Sequence, residues 1–112
     1  MTDRLFLVNP DWHDDQGGPW FCPAGAVIEG VLAFYPALFD RLEVTRVDFP
    51  RPRPAVVDQV GEAHQGCPLL VLDGELDWPD ARTSEATGCR FLQDEAIIPY
   101  LAARYGIGLP HP

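Results

Sequence analysis

At 112 residues, with apolar side chains making up 46% of the chain, this sequence has the size and composition of one globular domain with a single core. Its net charge of −9 argues against partnership with nucleic acid or an anionic membrane surface, and no apolar run approaches the roughly 18 residues of a membrane-crossing helix. Cys22, Cys67 and Cys89 are odd in number and widely spaced, which speaks against a disulfide scaffold, and with no Cys-x-x-Cys or Cys-x-x-His pair a zinc site is not expected.

Arg4-Leu5-Phe6-Leu7-Val8 predicts a first buried strand over 4–9. That short apolar run cannot serve as a secretory leader, so a cytoplasmic protein is expected. Pro10–Trp20 reads as a polar loop, in which His13-Asp14-Asp15 is more simply a solvated acidic stretch than a metal site. A helix over 23–35 follows, with Pro23 in its first turn, where a missing N–H costs no hydrogen bond. It is apolar on nearly every face except at Glu29, so it is expected to be buried. Glu43 to Phe49 alternates polar and apolar as a second strand, and Pro50-Arg51-Pro52-Arg53-Pro54 breaks structure before a short helix carrying Val56, Val57 and Val60.

Cys67–Asp73 predicts a third strand, Gly74–Gly88 a long acidic excursion holding Glu75, Asp77, Trp78, Asp80 and Glu85, and Arg90-Phe91-Leu92 a fourth strand. Asp94 is placed to cap a last helix whose Ile97, Ile98, Leu101, Ala102 and Tyr105 share one face. Pro99 predicts a kink or a late start there. The resulting order is β-α-β-α-β-β-α: an α/β domain with a four-stranded mixed sheet and three helices. Its first two strands are parallel by the crossover rule, and its last two form a hairpin.

Cys22 is the strongest functional candidate. A thiol just before a helix-opening proline faces unpaired amides and the positive end of the helix dipole, and both stabilise a thiolate. The competing reading is a buried cysteine acting as a small apolar residue. Cys89 is expected to be structural and distant. His64 can donate to a thiolate, or simply sit in a surface loop. Trp12, Trp20 and Phe21 bracket the first loop, either walling a pocket or packing.

Three segments carry a resemblance. Phe21-Cys22-Pro23-Ala24-Gly25 resembles the Cys-Pro-x-Cys of glutaredoxins and the one-thiol Cys-Pro-Phe-Ala of omega-class glutathione transferases. Cys67-Pro68-Leu69-Leu70-Val71 is similar to the strand opening where those families hold a cis proline beside the active thiol. Gln93-Asp94-Glu95-Ala96-Ile97-Ile98-Pro99-Tyr100-Leu101 is similar to the transferase segment whose second residue binds the γ-glutamyl end of glutathione. As a whole the chain resembles a small bacterial family of thioredoxin-like proteins that form a domain of unknown function. Its shared features are the Asp-Arg-Leu-Phe-Leu opening, Cys-Pro, Pro-Arg-Pro-Arg and the Leu-Pro-His-Pro ending.

The resemblance implies a thioredoxin-like fold and a monothiol oxidoreductase, with Cys22 as nucleophile on glutathione mixed disulfides or a protein thiol or disulfide. Cys67 would lie over Cys22 and serve as resolving thiol, replacing the one lost at Gly25. Pro23, Pro68, Arg51, Arg53, Gln93 and Asp94 would line the substrate, an arginine taking the glycine carboxylate and Asp94 the γ-glutamyl ammonium. Glutathione would be a co-substrate, with no resident cofactor or metal. The alternative is a non-catalytic thioredoxin-like binding or adaptor module, including a homodimer. The Gly-Gly-x-x-Asp ending of glutaredoxins is replaced by Cys89-Arg90-Phe91-Leu92-Gln93-Asp94, and a transferase's helical second domain is not expected.

Overall fold

The computed structural model describes residues 2–74 and 76–112; Glu75 of the acidic excursion lies outside the described residues. The interior strand β1 (Asp3–Val8) pairs in parallel with β4 (Leu42–Val47) and antiparallel with β5 (Leu69–Leu72). β5 pairs antiparallel with β7 (Arg90–Gln93), and β7 with the two-residue β6 (Arg82–Thr83), giving the order β4-β1-β5-β7-β6. The helices are α1 (Pro23–Phe34), α2 (Pro54–Val60) and α3 (Ile97–Tyr105).

Period-two alternation sorts the strands onto two faces. Leu5, Leu7, Leu70, Leu72 and Leu92 point to one side, where α1 and α3 bring Ile28, Leu32, Ile97 and Leu101. Phe6, Leu69, Val71 and Phe91 point to the other, where α2 supplies Val56 and Val60. Each of these leucines is worth about 1.5–3 kcal/mol of burial.

Four features differ from the sequence expectation. The sheet has five strands rather than four, because Arg82-Thr83 doubles back onto Phe91 and Arg90, a pairing too short to show periodicity. The third and fourth expected strands pair directly and antiparallel, as expected, and the long connection between them carries β6 to the outer edge of β7. The expected loop 10–20 contains a separate hairpin, β2 (Trp12–Asp14) with β3 (Gly17–Trp20), turned by Gly17 and Gly18 at φ +117° and +138°. Asp94 caps no helix: it opens a 3₁₀ turn (Asp94–Ala96) at φ +53° with no side-chain capping bond. Of the kink or late start expected at Pro99, the structure has the late start: α3 begins at Ile97, so Pro99 falls in its first turn, where no amide is missed. α1, finally, is not buried all round. Gly25, Ile28 and Leu32 face the sheet, while Val27 and Phe34 face solvent.

The start of β1 is tied to α3 by a buried carboxylate. Asp3, 3% exposed, accepts bonds from Tyr100 Oη (2.7 Å), Tyr105 Oη (2.6 Å) and the Asp73 amide (2.8 Å). Burial first, and the bond to Asp3 second, push both phenols above the usual tyrosine range. Neutral phenols are therefore favoured in the folded state. Their stabilisation is intact below the unfolded tyrosine value of about 10 and is lost as pH rises through the higher folded values. Asp3→Ala is expected to cost about 2–4 kcal/mol in denaturant unfolding, since it leaves two buried hydroxyls unpaired. In an alkaline titration, the tyrosinate absorbance of Tyr100 and Tyr105 should appear together with loss of circular dichroism.

Candidate functional site

Cys22 is the N-cap of α1, in extended conformation at φ −77° and ψ 118°. Cap positions usually hold Ser, Thr, Asp or Asn, whose oxygen accepts a free first-turn amide. Here the sulfur takes that part: the Gly25 amide donates to Cys22 Sγ at 3.4 Å, and the thiol can donate to the Cys67 carbonyl at 3.8 Å. Gly25 leaves the sulfur's flank open, since a Cβ there would lie 3.6 Å from Sγ. Half-buried Cys22 opens into a cavity of about 200 Å³ walled by Leu7, Val8, Pro10, Phe21 and Ala26. At the cavity's edge stands Glu29, held by a two-pronged bond from Arg46 at 2.7 and 2.9 Å. Those bonds keep its carboxyl below the usual range, against the opposing pull of burial.

The Cys67–Pro68 bond is cis, and Pro68 is buried at the start of β5. Cys67 Sγ lies 3.9 Å from the Gln65 carbonyl and packs against the α2-side core, while its carbonyl faces Cys22. Both cysteines are free thiols. Burial pushes the Cys67 thiol up, and the nearby Arg53 charge pulls partly back.

Arg53 is 4% exposed and spends its guanidinium on the chain itself. Nε and Nη2 donate to the Phe49 carbonyl at 2.9 and 2.7 Å, and Nη1 donates to the Gln65 carbonyl at 2.8 Å. Its amide donates to the Gln65 side chain at 2.7 Å, which locks the proline-rich turn against the loop before β5. Arg51, two residues earlier, is exposed. Gln93 is similarly engaged, donating to the Gly66 carbonyl at 2.9 Å and accepting from Arg82 at 3.2 Å.

Asp94 donates its amide to the Pro68 carbonyl at 3.2 Å, which brings the end of β7 beside the cis proline. Burial first, then the neighbouring Glu95 charge, push its carboxyl up. Asp94 and Ala24 line one cavity of about 330 Å³. Cys22, Cys67, Pro68 and Asp94 are thus assembled at one end of the sheet, with Pro23 leading into α1.

Other candidates lie elsewhere. His64 contacts Arg82 and the Phe91 ring. Cys89 packs at the edge of the α2-side core. Trp12 stacks on Phe49 at 4.4 Å, and of the three first-loop aromatics Phe21 is the one that lines the cavity beside Cys22. Glu29, Arg46 and Gln65 were missed by sequence reading; each acts through a partner 12 or more positions away, and no local pattern marks that. Among the described residues no group of His, Cys, Asp and Glu is arranged to hold a metal ion, and no helix is long and apolar enough to cross a membrane.

A family model described as "Protein of unknown function (DUF3088)" matches residues 2–109, and the chain belongs to that family. No curated protein matches the chain, and no solved structure does.

The Cys67 environment has a measurable consequence. Its alkylation by iodoacetamide should be slower than that of a free thiol at neutral pH, and should accelerate only above the ordinary thiol range. Peptide mapping of alkylated protein across a pH series checks this. A Cys67 that reacts readily at neutral pH would contradict the burial described here.

Proposed function

We propose that this member of the DUF3088 family is a thioredoxin-like monothiol oxidoreductase in which Cys22 is the nucleophile. One observation carries the reading: a half-buried sulfur caps α1, accepts the Gly25 amide and opens into a cavity. An amide donor aimed at sulfur stabilises the negative charge that a nucleophilic thiolate carries. The strand order β4-β1-β5-β7, with α1 crossing between the parallel pair, is consistent with a thioredoxin-like frame around that sulfur.

In the proposed step the Cys22 thiol loses its proton to solvent and attacks one sulfur of a disulfide. A Cys22 mixed disulfide forms, the partner sulfur leaves as a thiolate, and the partner's disulfide is reduced. A glutathione thiolate then attacks the partner's sulfur in that mixed disulfide, bonding to it and releasing Cys22 as a thiolate; or Cys67, after a local shift that turns its sulfur toward Cys22, loses its proton and attacks the Cys22 sulfur, forming an internal disulfide and releasing the partner's sulfur as a thiolate. Glutathione is the small-molecule co-substrate of this reading. Asp94 would face its ammonium, Arg51 its glycine carboxylate, and the backbone at Pro68 its peptide portion. Arg53 and Gln93 contribute by holding the walls, because their polar groups are already engaged. A reducing cytoplasm suits three free thiols.

Intact-mass thiol counting after treatment with oxidised glutathione tests this. The expected product is one glutathione adduct, mapped to Cys22 and absent in Cys22→Ser. Loss of one hydrogen from each of two thiols, abolished in Cys67→Ser, would instead identify the internal couple. Unchanged mass, with all thiols slow to alkylate, would overturn the oxidoreductase reading. It would leave the binding-module reading, which the exposed apolar face of α1 favours.

A further inference from the structure

The turn after β7 holds two adjacent carboxylates, Asp94 and Glu95, beside an apolar cavity. Both are exposed, and among the described residues neither belongs to an ion pair. Arg82 lines the other side of the same turn, but its guanidinium is engaged by Gln93 Oε1 at 3.2 Å, the His64 ring at 3.4 Å and the face of Phe91. The cavity measures about 330 Å³, and its remaining walls are apolar, with Val27 and Ile28 from α1 and Ile98 and Pro99 from α3. An acid ahead of α3 suits that helix's dipole. Two side by side repel: burial first, and the Glu95 charge second, push the Asp94 carboxyl up.

We infer that this cavity docks an arginine of a partner protein, its stem lying along Val27 and Ile98 and its guanidinium set between Asp94 and Glu95. The site asks for a cation on an apolar stem, and a long basic side chain is built that way. A guanidinium presents donors along two edges of one plane, so it can serve two carboxylates at once. It is also more weakly hydrated than an ammonium, which lowers the cost of bringing it against apolar walls.

Other cations fit less well. A metal ion would find two carboxylates and no further donor side chain in the lining. Free arginine carries a carboxylate of its own, which the two acids repel, whereas an arginine within a chain does not. The net charge of −9 steers a basic protein surface toward this chain and an acidic one away. Glu95 has no part in the glutathione reading, where Asp94 alone faces the ammonium, and the docking site does not require Cys22 to act as a nucleophile.

Amide NMR of the reduced, isotope-labelled protein tests this, by titration with the blocked tripeptide acetyl-Ala-Arg-Ala-amide and its lysine and citrulline counterparts. These probes hold no cysteine, so the result is separate from any exchange at Cys22. The signals of Val27, Glu95 and Ile98 should shift saturably with the arginine peptide. It should bind about tenfold or more tighter than the citrulline peptide, which keeps the shape and loses the charge; the lysine peptide should fall between. Raising sodium chloride from about 0.02 to about 0.2 M should weaken binding several-fold. Glu95→Gln should remove most of the arginine preference and leave the melting temperature unchanged, because that side chain is exposed and in no ion pair. Val27→Lys should abolish binding by setting a cation of the chain's own beside the acids. Arginine and citrulline peptides that bind equally, or shifts led by Asp77 and Asp80 instead of the cavity, would overturn the proposal. So would a lysine peptide that matches the arginine one, the absence of any saturable shift, or binding that survives both substitutions.

Discussion

A buried carboxylate with no cationic partner among the described residues ties the first strand to the last helix. Asp3 stands at the first residue of β1, and its oxygens take the hydroxyls of Tyr100 and Tyr105 from the last helix and the amide of Asp73, just past β5. Such a group is tolerated in a core only when its lone pairs are filled by donors, because its desolvation is otherwise too costly. The bonds therefore specify as much as they stabilise. α3 must return across the sheet to the strand where the chain began, and its register against β1 follows from where the two phenols reach. That return sets Ile97, Ile98 and Leu101 against α1 and places the Asp94 turn beside Pro68.

The second organising element is α1, which does three different things with its three parts. Its inner stripe of Gly25, Ile28 and Leu32 packs on β1. Its first turn presents amides, one of which is taken by a sulfur instead of the usual oxygen. Its outer stripe is apolar and leaves Val27 and Phe34 exposed. The bond from the Gly25 amide satisfies a first-turn donor of α1 and fixes the sulfur at the helix start.

Behind the sulfur, the wall is built from backbone as much as from side chains. Arg53 and Gln65 bind each other's backbone, and Arg53 reaches on to Phe49, so the proline-rich turn and the loop before β5 become one unit. The Cys67 carbonyl and the Pro68 carbonyl project from that unit toward Cys22 and Asp94 respectively. A guanidinium held this way is unavailable to a ligand, although its charge still reaches the Cys67 thiol.

Periodicity and breakers in the sequence determine the three helices, the strands β1, β4, β5 and β7 and the parallel first pair, and they leave a kink or a late start open at Pro99. These follow from contacts between neighbours in sequence and from the two-residue and 3.6-residue repeats of buried faces. The cap role of Cys22 is legible too, because Pro23 marks the helix start. What the tertiary structure alone decided depends on partners far apart in the chain. β6 exists because β7 offers an edge, and the β2–β3 hairpin because two glycines turn it and Trp12 finds Phe49. The positive φ of Asp94 accompanies the bond of its amide to Pro68. Arg53, which the sequence presents as a ligand-binding cation, became a buried brace because Gln65 and Phe49 offered carbonyls at the right distance. Apolar composition could not say which side of α1 would be covered. One sheet face buries one stripe of a helix, and the rest waits on what else the chain, or another chain, brings to it.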